Sequence, residues 1–145
     1  MTARVFVDTN IWIYGLTLPQ DGKDCGKRQN SLELFSQLTK ESVIVVSAQV
    51  INEFHWNMTR KFRVQDNAAL ELVSGNIEPI TIITEIGYSI YCKAFEIRSK
   101  YSLSFWDSLI AASALDASCE TLYTEDMQHG LVIDRRLKIV NPFGR

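Results

Sequence analysis

Four acidic side chains stand out by what precedes and follows them. Asp8 closes the short apolar run Arg4–Val7 and is followed by Thr9 and Asn10. Glu53 lies in a helical segment that follows the apolar run Ser42–Val46. Asp107 opens the segment FWDSLIAASALDA, apolar nearly all round from Leu109 to Leu115. Asp126 follows Glu120–Tyr123, in the polar stretch TEDMQHG. Carboxylates without thiolate or imidazole companions suit hard cations such as Mg²⁺ or Mn²⁺. Several in one pocket repel one another unless cations neutralise them. Such sites carry out phosphoryl transfer.

Each acid also has a purely structural reading. Asp8 is placed to cap a helix starting near Thr9 or Asn10. Ser104-x-x-Asp107 matches a capping box with Asp in place of the usual Glu, in a position the helix dipole favours. Glu53 falls roughly 130° from the centre of the Val50/Phe54/Met58 stripe, on the side of Asn57 and Arg60, as a solvated glutamate would. Asp126, shortly before Gly130, is a common turn former.

Other chemistries lack their residues. There is no GxGxxG, no GxxxxGK[ST], no HExxH and no GxSxG. The two histidines, His55 and His129, make no usable acid–base pair, so a metal-free hydrolytic mechanism built on histidines lacks its general acid and base. His55 reads as a partly buried or surface residue. Cys25, Cys92 and Cys119 are odd in number, far apart and without a CxxC, which suggests small buried residues in a reducing, cytoplasmic setting.

The elements that must position the acids alternate in type. Arg4–Val7, Ser42–Val46, Pro79–Ile83, Glu120–Tyr123 and Leu137–Val140 read as strands. Asn10–Leu16 begins as a helix or turn, and Pro19–Gly26 reads as a flexible loop. A helix carrying Leu32, Leu34, Phe35 and Leu38 runs to Lys40. Ser47 caps a helix reaching about Lys61, and Asp66 caps Asn67–Val73, which Gly75 ends. Thr84 caps a long helix to about Lys100, with Ile86, Ile90, Ala94 and Ile97 on one face, and Ser104 starts a helix through Ala117. This alternation means βαβ units: an α/β fold of three layers, α/β/α, around a mostly parallel sheet of four to five strands. In such sheets ligands bind beyond the carboxyl ends of the strands, where Asp8 and Asp126 fall.

A chain of 145 residues suits one domain over 1–145. Its longest uncharged stretch, Thr9–Gln20, has 12 residues, against about 20 for a spanning helix, so no membrane segment is expected. Asp8 interrupts the opening MTARVFVDTN before an apolar run matures, so a signal peptide is not expected either. A net charge of −2 argues against gripping nucleic acid by bulk positive charge. Setting the four acids aside leaves a net positive remainder.

At these residues the chain resembles the PIN-domain family, and within it the VapC toxins of toxin–antitoxin pairs. VFVDTNIWIY resembles the family's opening strand and first acid, SAQVINEF its second acidic motif, and SFWDSLIAASALDASCETLYTEDMQHG its third and fourth; LKIVNPF is similar to its usual ending. The resemblance implies that Asp8, Glu53, Asp107 and Asp126 are the catalytic, metal-binding acids. Thr9, Asn10 and Thr124 match polar positions beside them, and Glu125 is open to sharing the role of Asp126. It implies a Mg²⁺- or Mn²⁺-dependent endoribonuclease acting on RNA, often a homodimer, inhibited by a cognate antitoxin. Hydrolysis at such a site leaves 5′-phosphate and 3′-hydroxyl ends.

Lys23, Lys27, Arg28, Arg60, Lys61 and Arg63 are candidates for RNA phosphates or simply a solvated surface. Trp12, Tyr14, Trp56 and Trp106 are candidates for base stacking, buried core or a dimer interface. The main alternative function is a catalytically inactive RNA- or protein-binding module. A phosphatase of the haloacid dehalogenase type expects D-x-D where this chain has Asp8-Thr9-Asn10. A receiver domain needs an aspartate ending a middle strand, and SVIVVS and PITIIT end without one.

Overall fold

β-Branched and aromatic runs, short and bounded by polar residues, build the centre of the molecule. The computed structural model describes residues 2–20, 22 and 24–144. β1 (Ala3–Val7) leads through α1 (Thr9–Leu16) and α2 (Asp24–Glu41) to β2 (Ser42–Ser47). α3 (Ala48–Arg60), α4 (Asp66–Leu72), a π-helical turn (Val73–Ile77) and a 3₁₀ turn (Glu78–Ile80) lead to β3 (Thr81–Thr84). α5 (Tyr88–Tyr101) and α6 (Phe105–Asp116) precede β4 (Thr121–Tyr123), β5 (Val132–Ile133) and β6 (Leu137–Val140).

The strands lie in the order β3-β2-β1-β4-β6-β5. All neighbours are parallel except β5 and β6. Phe6 pairs with Val45 on one side and Leu122 on the other, and all three are buried. The chain therefore builds outward from β1 through β2 to β3, then returns to place β4 on the other flank of β1. The carboxyl ends of β1 and β4 form the switch point of the topology, where a crevice opens. Helices cover the sheet: α2, α3 and α6 all touch β2, and α6 also reaches β4 and β6. Burial of every residue from Ser108 to Leu115 makes α6 the most enclosed helix, as its all-round apolar sequence requires.

Several boundaries differ from the sequence reading for identifiable reasons. The sheet has six strands, because the two-residue β5 is too short to show periodicity. Pro79 lies in the 3₁₀ turn, since it lacks the N–H a ladder needs, and the strand starts at Thr81. Thr84 ends β3 instead of capping α5; Gly87 takes the cap position, leaving Ile86 outside the helix. Asp66 is the first residue of α4, with Gln65 at the cap, and the π-helical turn carries the chain past Gly75. Asp24, Cys25 and Gly26 belong to α2 and not to a loop. Cys119 is buried, but Cys25 and Cys92 are exposed, contrary to expectation. No helix among the described residues is long and apolar enough to cross a membrane.

Candidate functional site

The extended backbone of β1 delivers Asp8 to the switch point, and the turn into α1 fixes its side chain. Asp8 is the N-cap of α1, its Oδ1 accepting a hydrogen bond from Thr9 N at 2.7 Å. Its Oδ2 accepts from Thr124 Oγ1 at 2.8 Å. The backbone ladder continues here, with Asp8 N donating to Tyr123 O at 3.0 Å, so the ends of β1 and β4 are stitched together. Thr124 Oγ1 in turn accepts from Asp126 N at 3.1 Å, which ties the loop after β4 to the same point. The capping reading and the pocket reading of Asp8 are thus both realised in one side chain.

Only 7% of Asp8 is exposed, and burial lifts its pKa to about 7. The bonds from Thr124 and Thr9 oppose that rise, and the charges of Asp126 and Glu53 add to it. Glu53, Asp107 and Asp126 are raised as well, each chiefly by partial burial. The Asp107 and Asp126 charges push on Glu53, and those of Glu125 and Asp107 push on Asp126, with Lys27 opposing. The four carboxyls resist ionisation because burial strips part of their hydration and, at Asp8, Glu53 and Asp126, neighbouring carboxylates add like charge.

All four acids line one cavity of about 90 Å³, together with Thr9, Asn10, Gln49 and Asn57. Glu53 comes from α3, one helical turn from both Gln49 and Asn57. Asp107 comes from the first turn of α6, where its N–H donates to the Ser104 Oγ cap at 3.1 Å. Gln49 Nε2 donates to Trp106 O at 3.3 Å and so links α3 to α6 across the pocket. Gln49 escaped the sequence reading, which placed only Asn57 and Arg60 on the side of Glu53, although the i−4 spacing of Gln49 puts it on the same face.

The donor set fits a hard divalent cation. Every group is an oxygen donor or a neutral amide, and the buried Thr9 Oγ1 has no hydrogen-bond partner. Among the described residues no three Asp, Glu, His or Cys side chains are already closed around a single ion position. Mg²⁺ is commonly held by one or two carboxylates plus waters and substrate oxygens, so an open, wet arrangement is compatible with it. The cavity has room for several water-sized groups.

Glu125 is directed elsewhere. Its carboxylate accepts from Tyr14 Oη at 2.7 Å, Lys27 Nζ at 2.9 Å and Asn10 Nδ2 at 3.2 Å. Burial and the Glu125 hydrogen bond push the Tyr14 phenol up to about 12, and the same carboxylate raises Lys27. Asn10 also donates to Asp126 Oδ2, at 3.5 Å, so this network touches the pocket through one amide.

The basic and aromatic candidates separate in the same way. Arg28 Nε donates to Thr17 O, and Lys61 stands over the Phe62 ring. The Arg60 guanidinium lies 4.9 Å from the Trp56 ring centre. Arg63 is exposed, with positive φ, and Lys23 lies outside the described residues. Trp12 is core, stacked on Phe35 and 1% exposed, whereas Trp56 and Trp106 are 59% and 64% exposed. His55 pairs with Asp66 at 2.9 Å.

The sequence pattern of the PIN domain matches residues 5–131, a span that holds all four acids. The chain belongs to the PIN-domain family. Solved structures of toxins and toxin–antitoxin complexes superpose on it over most of its length. A toxin–antitoxin complex from Klebsiella pneumoniae is similar with a TM-score of 0.70 at 18% identity, covering 97% of this chain and 99% of that one. VapBC2 from Rickettsia felis, bound to a DNA fragment from its promoter, is similar at 0.64 and 19%, covering 95% and 99%. The VapC20 toxin of Mycobacterium tuberculosis, which cleaves the sarcin–ricin loop, is similar at 0.61 and 18%, covering 81% and 86%. No curated protein matches the chain in sequence.

Proposed function

We propose that this PIN-domain protein is a Mg²⁺- or Mn²⁺-dependent endoribonuclease of the VapC type, the toxin of a toxin–antitoxin pair. The observation that carries the reading is the meeting of Asp8, Glu53, Asp107 and Asp126, from four separate segments, in one pocket at the switch point of the sheet. A structural role for each acid alone does not require their convergence.

The four carboxylates are assigned as the cation-holding side chains. A bound divalent cation supplies neutralising charge for the scissile phosphate and lowers the pKa of water. Thr124 and the Thr9 N–H hold Asp8 in a fixed orientation, so little reorganisation remains when the cluster ionises. Asn10 and Asn57 offer amide donors at the pocket edge. Hydrolysis adds the water oxygen to phosphorus and breaks the bond to the 3′ oxygen, which takes up a proton; the products carry 5′-phosphate and 3′-hydroxyl ends. A cognate antitoxin is a proposed partner, supported by the toxin–antitoxin complexes among the structural relatives; a second copy of the chain is proposed on the family resemblance alone.

The test is cleavage of total cellular RNA by antitoxin-free protein in Mg²⁺ or Mn²⁺, with EDTA and Asp8→Asn protein as controls. Discrete fragments with 5′-phosphate ends, lost in both controls, are expected. Products with 2′,3′-cyclic phosphates would overturn the mechanism. Intact RNA with folded, cation-loaded protein would favour the inactive binding module.

A further inference from the structure

Beside the acidic pocket lies a much larger groove, about 920 Å³, between α3 and α6. Gln49, Glu53 and Trp106 line both spaces, so the two are adjacent. The groove's walls are mainly apolar and include Trp56, Ile86 and Leu109. Each exposed tryptophan is close in sequence to a pocket acid. Trp56 follows Glu53 by one helical turn, and Trp106 directly precedes Asp107. Exposing two indoles beside a polar centre sets a large apolar surface against water, which is the usual mark of a binding face.

Two features point to one kind of occupant. Two exposed indoles suit a flat π-system, and base–aromatic stacking is tolerant of sequence. The Arg60 guanidinium, 4.9 Å from the Trp56 ring centre, sets a positive charge beside that indole, the kind of group that contacts a phosphate. A nucleobase supplies the π-face, and its backbone supplies the phosphate.

We propose that this groove is a nucleobase subsite, in which one unpaired base adjoining the scissile phosphate stacks on Trp56 and Trp106. The inference rests on the ribonuclease reading and adds a substrate requirement to it: the cleaved strand must be single-stranded, or opened, at that base. Duplex RNA, whose bases are already stacked, does not reach the indoles.

The test uses a short single-stranded RNA that the protein cleaves, and a set of copies each lacking one base near the cut. With unaltered protein, one abasic position is expected to lower kcat/KM by about 5- to 150-fold, the range of one lost base stack. In Trp56→Ala/Trp106→Ala protein that penalty should shrink to near one, because the stack is already gone. Trp56→Phe/Trp106→Phe should restore most of it. An unaltered abasic penalty in the alanine variant would overturn the subsite while leaving the nuclease standing. Absence of cleavage of any RNA by unaltered protein would instead overturn the functional reading beneath it. Sedimentation of the same variants adds a second criterion. A dimer-to-monomer shift would show that a second copy covers the tryptophans, and would also overturn the subsite.

Discussion

Asp8 sits at the carboxyl end of the central strand β1, Asp134 in the turn after the edge strand β5, and the two titrate in opposite directions. Asp134, in the turn between β5 and β6, accepts from Lys93 Nζ at 2.6 Å and lies 3.8 Å from Lys100 Nζ. Tyr101 Oη accepts from its backbone N–H at 2.8 Å. Lys93 holds its carboxyl below the ordinary value. Asp8 has two good hydrogen bonds but no cation, other carboxylates for neighbours, and a pKa raised to about 7. The fold brings lysines to an acid when the task is to hold a turn. At the switch point it brings more acids, an arrangement that costs stability and becomes favourable once an external cation arrives.

The sharpest way to break the comparison is to neutralise one acid in each region. Asp8→Asn keeps the side-chain shape and one acceptor oxygen for the Thr9 N–H, turns the other position into an N–H donor facing Thr124, and is an N-cap nearly as good as aspartate. It should lower RNA cleavage by at least about 100-fold, the scale on which a positioned proton-handling or charge-bearing group contributes. Asp134→Asn should leave cleavage within about twofold. Equal effects of the two substitutions would remove the distinction between a functional and a structural carboxylate.

Cation binding should show the same asymmetry in thermal stability. At about 100 times its dissociation constant a ligand adds about 2.7 kcal/mol to the folded state. For a domain of this size that amounts to several degrees in Tm. Mg²⁺ or Mn²⁺ should raise the Tm of unaltered and Asp134→Asn protein but not of Asp8→Asn protein, measured by calorimetry with EDTA as the reference. A rise in all three would place the cation elsewhere.

Much of this contrast was legible in the sequence, and the illegible part has a physical pattern. Asp8 and Asp126 could be placed at the rim because buried strands announce themselves and a parallel sheet gathers their carboxyl ends. Asp107 was legible through Ser104, whose hydroxyl caps the helix as the spacing requires. Glu53 was not, because periodicity only says that it faces away from the Val50/Phe54/Met58 stripe, and a solvated face and a pocket wall look alike in one sequence. The partner of Glu125 was invisible for another reason: Lys27 lies 98 positions away, and only the folded sheet brings them together. The exposed and buried tryptophans were likewise indistinguishable until packing separated Trp12 from Trp56 and Trp106.

The pH dependence of the cation-free protein should sharpen the contrast further. Asp8 is raised from 3.8 to about 7, so the folded state binds its proton more tightly than the unfolded chain. Its contribution is fully present below about pH 4, declines as pH rises, and is lost above about pH 7. The loss is of the order of a few kcal/mol. Asp134 has the opposite sign: its contribution is present above the ordinary aspartate value and is lost as pH falls through its depressed one. This exposed-side pair is worth about 1 kcal/mol or less. Urea unfolding in EDTA should therefore show stability falling between pH 4 and pH 7. Asp8→Asn should flatten that fall, and Asp134→Asn should alter only the acid limb. A fall that persists unchanged in Asp8→Asn would locate the titrating group outside the pocket.

The smallest expected effect tests the border between the two kinds of region. Glu125 is adjacent to Asp126 in sequence, yet its surroundings resemble those of Asp134: a lysine, a phenol and an amide satisfy it. Lys27→Met keeps most of the side-chain length over the Tyr14 and Phe143 rings, where the ammonium now stands 5.0 and 5.5 Å from the ring centres. It leaves Glu125 without its cation. The stability loss should be about 1 kcal/mol, the scale of a half-exposed ion pair. Cleavage should fall only a few-fold, through the Asn10 amide that bonds both Glu125 and Asp126. Glu125→Gln, which keeps an acceptor for Tyr14 and removes the charge that opposes ionisation of Asp126, should restore part of that activity when combined with Lys27→Met. If Glu125→Gln alone abolished cleavage as Asp8→Asn does, Glu125 would belong with the pocket acids, and the boundary drawn between a self-neutralised carboxylate and a cation-seeking one would have to move by one residue.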